Sequence, residues 1–183
     1  MMNSEDIKYI NDISEQFNKN EISSKDAFEL IYKQVNIYDY FDLLLDFFED
    51  KDLLDMFRKE YHKEIAVSSL NEYNTANDSD KSMILYMISR KCSFSFNEEY
   101  VYKTYKEVFG DIFEKLEEKA LENSFLRIYK NINSSDNKEQ KITSLKKIYF
   151  NTENTYTKKI NDFLENFDDI TNSQKYGNYL PYL

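Results

Sequence analysis

An all-α fold is predicted by three features of the 183-residue chain: two glycines, one proline, and apolar residues that recur at helical spacing. Gly110, Gly177 and Pro181 are too few to supply the positive-φ and fixed-φ corners that hairpins and multi-stranded sheets require. The length, a charged fraction of 32% and an aromatic fraction of 16% suit one domain that buries a core without disulfides or metals. The expected architecture is a single domain over residues 1–170 with about eight helices, either an irregular bundle or a HEAT-like stack of helix pairs. A non-helical aromatic tail is expected over 171–183, which holds Tyr176, Tyr179 and Tyr182.

Ser4 is the expected cap of the first helix, with Ile7, Ile10, Ile13 and Phe17 on its inner face. After a turn at 18–22, Ser23 or Ser24 caps a second helix whose apolar side is Phe28, Ile31, Tyr32 and Val35. A third helix runs from near Tyr38 to Glu49, and a fourth starts near Asp52. The fourth carries two stripes, one of Leu53, Leu54, Phe57, Tyr61 and Ile65 and one of Met56, Val67 and Leu70, which implies two neighbours. Residues 74–79 read as a loop by composition. Met83 to Ile88 cover every side of a fifth helix, which is therefore central or part of an interface. Residues 92–96 alternate in polarity and read as extended chain, after which Asn97, Glu98 and Glu99 open a sixth helix. Its stripe of Val101, Tyr105, Val108, Ile112 and Leu116 stays in phase through Gly110. The stripe rotates after Ala120, where the helix is expected to break or to change partners. Residues 131–137 form the next loop, and the last two helices carry Ile142, Leu145, Ile148 and Tyr149, then Tyr156, Ile160, Phe163, Phe167 and Ile170.

The formal charge of −10 is concentrated near the N-terminus, because residues 1–60 hold 15 acids against 7 bases whereas residues 61–183 hold 19 against 17. Such a chain repels phosphate backbones and anionic lipid, so direct binding of nucleic acid or membrane is not expected. A basic protein is the expected partner, since an acidic field accelerates that encounter. The opening residues lack a basic-then-apolar leader, Met83 to Ile88 is the longest apolar run, and Cys92 is single. A reducing cytoplasm is the expected compartment. Lysine outnumbers arginine 21 to 3 while Asn and Ile abound, as AT-rich codons produce, which points to a low-GC bacterium or one of its mobile elements.

The densest charge lies from Asp39 to Asp55, with seven acids against Lys51 alone, beside the apolar run Tyr38 to Phe48. At 3.6 residues per turn, Asp39, Asp42, Asp46, Glu49 and Asp50 fall on one stripe of a helix whose remaining surface is apolar. Carboxylates at i, i+3 and i+4 spacing suit lysines and arginines of a partner, or imitate the charge spacing of nucleic acid, and the same stripe serves equally as solvated surface. Tyr38 and Tyr40 are the candidate aromatic anchors, because tyrosine gives large contact area at low entropic cost.

Catalytic and cofactor chemistry finds little support. His62 is alone, so it forms neither a triad nor a zinc site, and reads as a residue at the edge of the apolar stripe. Cys92 reads as a buried structural thiol. Two glycines 67 residues apart make no phosphate loop, and residues 74–80 lack the central Gly and closing Glu of a calcium loop. No metal, cofactor or catalytic residue is assigned. The expected function is a non-enzymatic acidic protein that neutralises a basic toxin, nuclease or nucleic-acid-binding effector, of the immunity or antitoxin type. A phage or mobile-element anti-defence protein, such as an anti-CRISPR or nucleic-acid mimic, is the first alternative. A helical scaffold or oligomerisation module is the second.

Overall fold

The computed structural model describes residues 3–149 and 154–167, and the expected all-α fold is what it shows. Among the described residues there are nine α-helices, two 3-10 turns and no strand. In chain order these are α1 (Ser4–Asn18), α2 (Ser24–Gln34), α3 (Ile37–Phe47), α4 (Lys51–Thr75), α5 (Asp78–Cys92), a 3-10 turn (Ser95–Asn97), α6 (Glu99–Phe109), a second 3-10 turn (Gly110–Ile112), α7 (Phe113–Asn133), α8 (Lys138–Tyr149) and α9 (Thr155–Glu165). No helix among them is long and apolar enough to cross a membrane. By packing, the chain divides into two compact units, Met1–Ser68 and Ser69–Leu183, and the division falls within α4. The aromatic tail expected over 171–183 lies outside the described residues.

The first unit is built from α1 to α3 and the greater part of α4, up to Ser68. Its helices begin on side-chain caps that satisfy otherwise orphaned N–H groups. Asn3, rather than Ser4, caps α1 by accepting from the Glu5 N–H at 3.0 Å. Ser23 and Asp26 form a reciprocal capping box on α2, and Asn36 accepts from the N–H groups of Tyr38 and Asp39 to start α3. Asn20 takes a positive φ of 58° and turns the chain out of α1, a role that Asn tolerates well. The core joins Ile10 and Ile13 to Ala27 and Ile31, to Ile37, Tyr40, Leu44 and Phe48, and to Leu53 and Phe57. Phe57 packs against Phe28 and Phe48 with ring centroids 5.6 and 5.7 Å apart. The fully buried rings of Phe48 and Phe57 each contribute about 1.5–3 kcal/mol of transfer free energy, and the half-buried Phe28 less.

In the second unit α7 is the central helix, and α5, α6, α8 and α9 all pack on it. Its buried residues, among them Phe113, Leu116, Ala120, Leu121, Phe125, Ile128 and Ile132, run its full length. Of the two outcomes expected at Ala120, a change of partners is therefore the one observed. The break lies instead at Gly110, contrary to the in-phase stripe: Gly110 has φ +50° and ψ −123°, a region open to glycine and closed to most L residues. Residues 92–96 are not extended either. Ser93 and Phe94 have right-handed helical angles, and tertiary hydrogen bonds occupy the local carbonyls, since the Tyr156 hydroxyl donates to Ser93 O at 2.7 Å and Asn154 Nδ2 to Phe96 O at 3.0 Å. Phe96 is wholly buried, and the rings of Tyr102, Tyr105, Phe113 and Tyr156 surround it at 5.3–5.9 Å. The expected loop at 74–79 shrinks to two residues, because α4 continues to Thr75 and α5 begins at Asp78.

Two substitutions test this packing. Tyr156→Phe deletes a hydroxyl that is also 2.7 Å from Ser124 Oγ, leaving buried partners unmet, and lowers unfolding free energy by about 2 kcal/mol. Gly110→Ala meets no atom within 4 Å, so its loss of about 1 kcal/mol is purely conformational. Urea titration measures both, and an unaltered Gly110→Ala midpoint contradicts the bend at that residue.

Candidate functional site: the acidic face of α3

Eleven residues of α3 serve two environments. Ile37, Tyr40 and Leu44 are buried at i, i+3 and i+7 spacing, whereas Tyr38, Asp39, Asp42 and Asp46 are exposed. Glu49 is also exposed, but the helix expected to reach it ends at Phe47 and Phe48 is extended, so the helical stripe stops at Asp46 and Glu49 lies beyond it. Eight ion pairs occur among the described residues, and none of them involves Asp39, Asp42, Asp46 or Glu49. The four carboxylates thus have no cation within the chain as described.

Parts of that arrangement work against the helix that carries it, although Asp39 in the first turn suits the positive end of its dipole. Asp39 with Asp42 and Asp42 with Asp46 are like charges at i, i+3 and i, i+4, each pair costing about 0.2–0.5 kcal/mol. Asp46 also occupies the last turn, which contains no basic residue, so its charge opposes the negative end of the helix dipole. Burial of the opposite face offsets both terms.

Two residues expected on this face have other roles. Tyr40 is buried at 5% exposure; its hydroxyl donates to Asp6 Oδ2 at 2.8 Å and accepts from the Asn3 N–H at 2.7 Å. It ties α3 to the start of α1 because its position falls on the i, i+3, i+7 core line. Asp50 is the cap of α4, accepting from the Leu53 N–H at 2.9 Å and from Ser24 Oγ at 3.0 Å. Its carboxylate is committed to the fold, which removes it from the stripe.

Tyr38 is half exposed, and its ring is ordered by its neighbours. It stacks on Tyr61 with centroids 5.4 Å apart and planes 16° apart, and Phe41 stacks on Tyr61 at 4.0 Å and 10°. His62 meets the Tyr61 ring edge-on at 5.5 Å and is half-buried, at the margin where its sequence position places it. Glu64 joins the same cluster: burial, then the nearby charge of Glu60, raises its carboxyl above the ordinary value against a hydrogen bond from the Tyr38 backbone, with Asp39 adding to the rise. Burial also raises the Tyr61 phenol, helped by Tyr38 and Asp42. Sequence spacing does not reveal this cluster, because Tyr38 and Tyr61 lie on different helices and Tyr61 reads as an inner-stripe residue.

Among the described residues no three His, Cys, Asp or Glu side chains converge as metal ligands. Cys92 is 2% exposed, and burial pushes its thiol well above the ordinary value. No family model, curated protein or solved structure matches the chain.

Neutralising Asp42→Asn and Asp46→Asn together is expected to raise unfolding free energy by about 0.5–1 kcal/mol at low salt. The gain should shrink at about 1 M salt, where the Debye length is about 3 Å. Destabilisation at low salt would instead reveal a cation that the stripe requires. Cys92 should react with a thiol reagent such as DTNB only as the protein unfolds, so that its rate rises with urea; free-thiol reactivity without denaturant contradicts its burial.

Proposed function

We propose that the chain is a non-enzymatic inhibitor that binds one basic protein partner, a toxin, nuclease or nucleic-acid-binding effector, and covers its active or nucleic-acid-binding surface. The observation that carries this reading is the set of exposed carboxylates Asp39, Asp42 and Asp46 on α3 and Glu49 just beyond it, in no ion pair among the described residues, on a helix that starts with the ordered ring of Tyr38. Like charges crowded along α3, with Asp46 also against its dipole, that pair with no cation among the described residues are accounted for by a cation on a partner. The excess of 8 acids in residues 1–60 steers the encounter, and Tyr38, already held by Tyr61, docks with little further loss of rotamer freedom. The same physics serves an immunity or antitoxin protein and an anti-defence protein that mimics nucleic acid.

A second reading, a scaffold or oligomerising module, draws support from a separate feature. Met83, Tyr86, Met87 and Phe94 are exposed at 64, 39, 47 and 62%, the first three on α5 and Phe94 two residues beyond it. Sedimentation mass that rises with concentration favours this reading, and a strict monomer counts against it.

Replacing Asp39, Asp42, Asp46 and Glu49 by Asn or Gln tests the inhibitor reading. The variant should associate with its partner at least about tenfold more slowly at low salt, with a flatter dependence on ionic strength and unchanged helix content. Association that keeps its wild-type rate and salt dependence removes the stripe from the account.

A further inference from the structure

The second unit contains a groove whose chemistry is opposite to that of the acidic stripe. Two cavities, about 720 and 460 Å³, lie between α5 and α7 and share Tyr86, Asn123 and Leu126 as common wall. The larger is lined by Arg90, Arg127 and Lys130 together with Ser93, Asn131 and Ser134, and by no carboxylate. Two of the three arginines in a chain of charge −10 therefore meet in one depression. The smaller end is lined by Met83, Tyr86 and Leu126, and its single carboxylate, Glu122, is held by Lys119 at 2.9 Å.

The cationic end is built and has spare donors. Arg127 is braced from below: its NH2 donates to Ser124 Oγ and to the Tyr149 hydroxyl at 3.3 Å each, and its guanidinium lies 5.1 Å from the centroid of the Phe94 ring. Its Nε and NH1 hydrogens are taken by no described residue. Arg90 and Lys130 are exposed and form no ion pair among the described residues. A guanidinium fork held in place, with a second arginine and a lysine in the same lining, suits a tetrahedral oxyanion, whereas the Ser93 and Ser134 hydroxyls there already donate to Arg90 O and Asn131 O.

We infer that this groove binds a small organic phosphate, with the phosphate on Arg90, Arg127 and Lys130 and an aromatic or apolar body against Tyr86, Met83 and Leu126. The cavity sizes lie in the range of small-molecule sites. Charge argues for a small ligand over a nucleic acid. A polyanion experiences the repulsion of the whole acidic chain, whereas a small phosphate responds mainly to charges within a Debye length of about 8 Å, and the lining of the larger cavity supplies three cations and no carboxylate. The groove lies wholly in the second unit and involves none of the α3 residues, so the inference stands independently of the inhibitor reading.

The test uses the full chain, labelled with 15N, titrated with ADP, pyrophosphate, adenosine and a short single-stranded oligonucleotide. ADP should bind saturably and shift amide signals along α5 and α7, pyrophosphate should bind more weakly at the same cations, and adenosine more weakly still. The double variant Arg90→Gln with Lys130→Gln removes two exposed, unpaired cations, leaves the fold intact by circular dichroism, and should weaken ADP about tenfold. Arg127→Lys keeps the charge but loses the fork and should weaken ADP about fivefold. Absence of saturable ADP binding, or wild-type affinity in the double variant, overturns the inference. Pyrophosphate that binds as tightly as ADP overturns the role given to the apolar end. An oligonucleotide that binds more tightly than ADP overturns the preference for a small ligand.

Discussion

Everything in the first unit follows from the requirement that α3 bury one face completely while presenting carboxylates on the other. Ile37, Tyr40 and Leu44 lock that helix against α1 and the core, and once they are buried the positions of Asp39, Asp42 and Asp46 in solvent are fixed by helical geometry. Tyr40 sharpens the lock, because its hydroxyl joins Asp6 and the Asn3 backbone, so rotation of α3 would break two hydrogen bonds as well as expose apolar surface. Asp50 and Ser24 then set the start of α4, which brings Tyr61 beneath Tyr38. The exposed acidic and aromatic face is thus a consequence of core packing.

The two units distribute charge in different ways. In the first, the stripe carboxylates lack internal cations, and the ion pairs that do form are local ones such as Lys19 with Glu15 and Arg58 with Asp55. Pairs of that exposed kind contribute little stability, so the fold depends on burial and on caps. In the second, the buried Glu117 is matched by the Tyr102 hydroxyl at 2.7 Å and by Lys159 at 3.0 Å, while Arg90 and Lys130 are left without acids. A protein whose net charge is strongly negative therefore carries one acidic face on α3 and, in its second unit, one cationic groove.

Much of this is legible in the residues, and the failures have physical causes. Helical periodicity locates the helices and the capping serine of α2, and two glycines with one proline exclude a sheet-rich fold. Periodicity cannot report a single residue at positive φ, so the stripe from Val101 to Leu116 conceals the break at Gly110. Alternating polarity at 92–96 puts Phe94 and Phe96 on one face of a strand, yet Phe96 is buried and Phe94 exposed, because helical backbone angles turn them apart. The stripe acids are readable because their spacing is local. Tyr40 and Asp50 are misjudged because their partners Asp6 and Ser24 are 34 and 26 residues away, and the Arg90–Arg127 groove depends on helix pairing that no local pattern encodes.

The central claim is that the carboxylates of α3 find their cations on another protein. A tagged pull-down from the native host, run in parallel with the variant lacking all four stripe charges and read by mass spectrometry, tests it most directly. One basic protein captured by the wild type and lost from the variant is the predicted result. The same proteins retained by both baits, or none captured by either, would contradict it and leave the stripe as solvated surface.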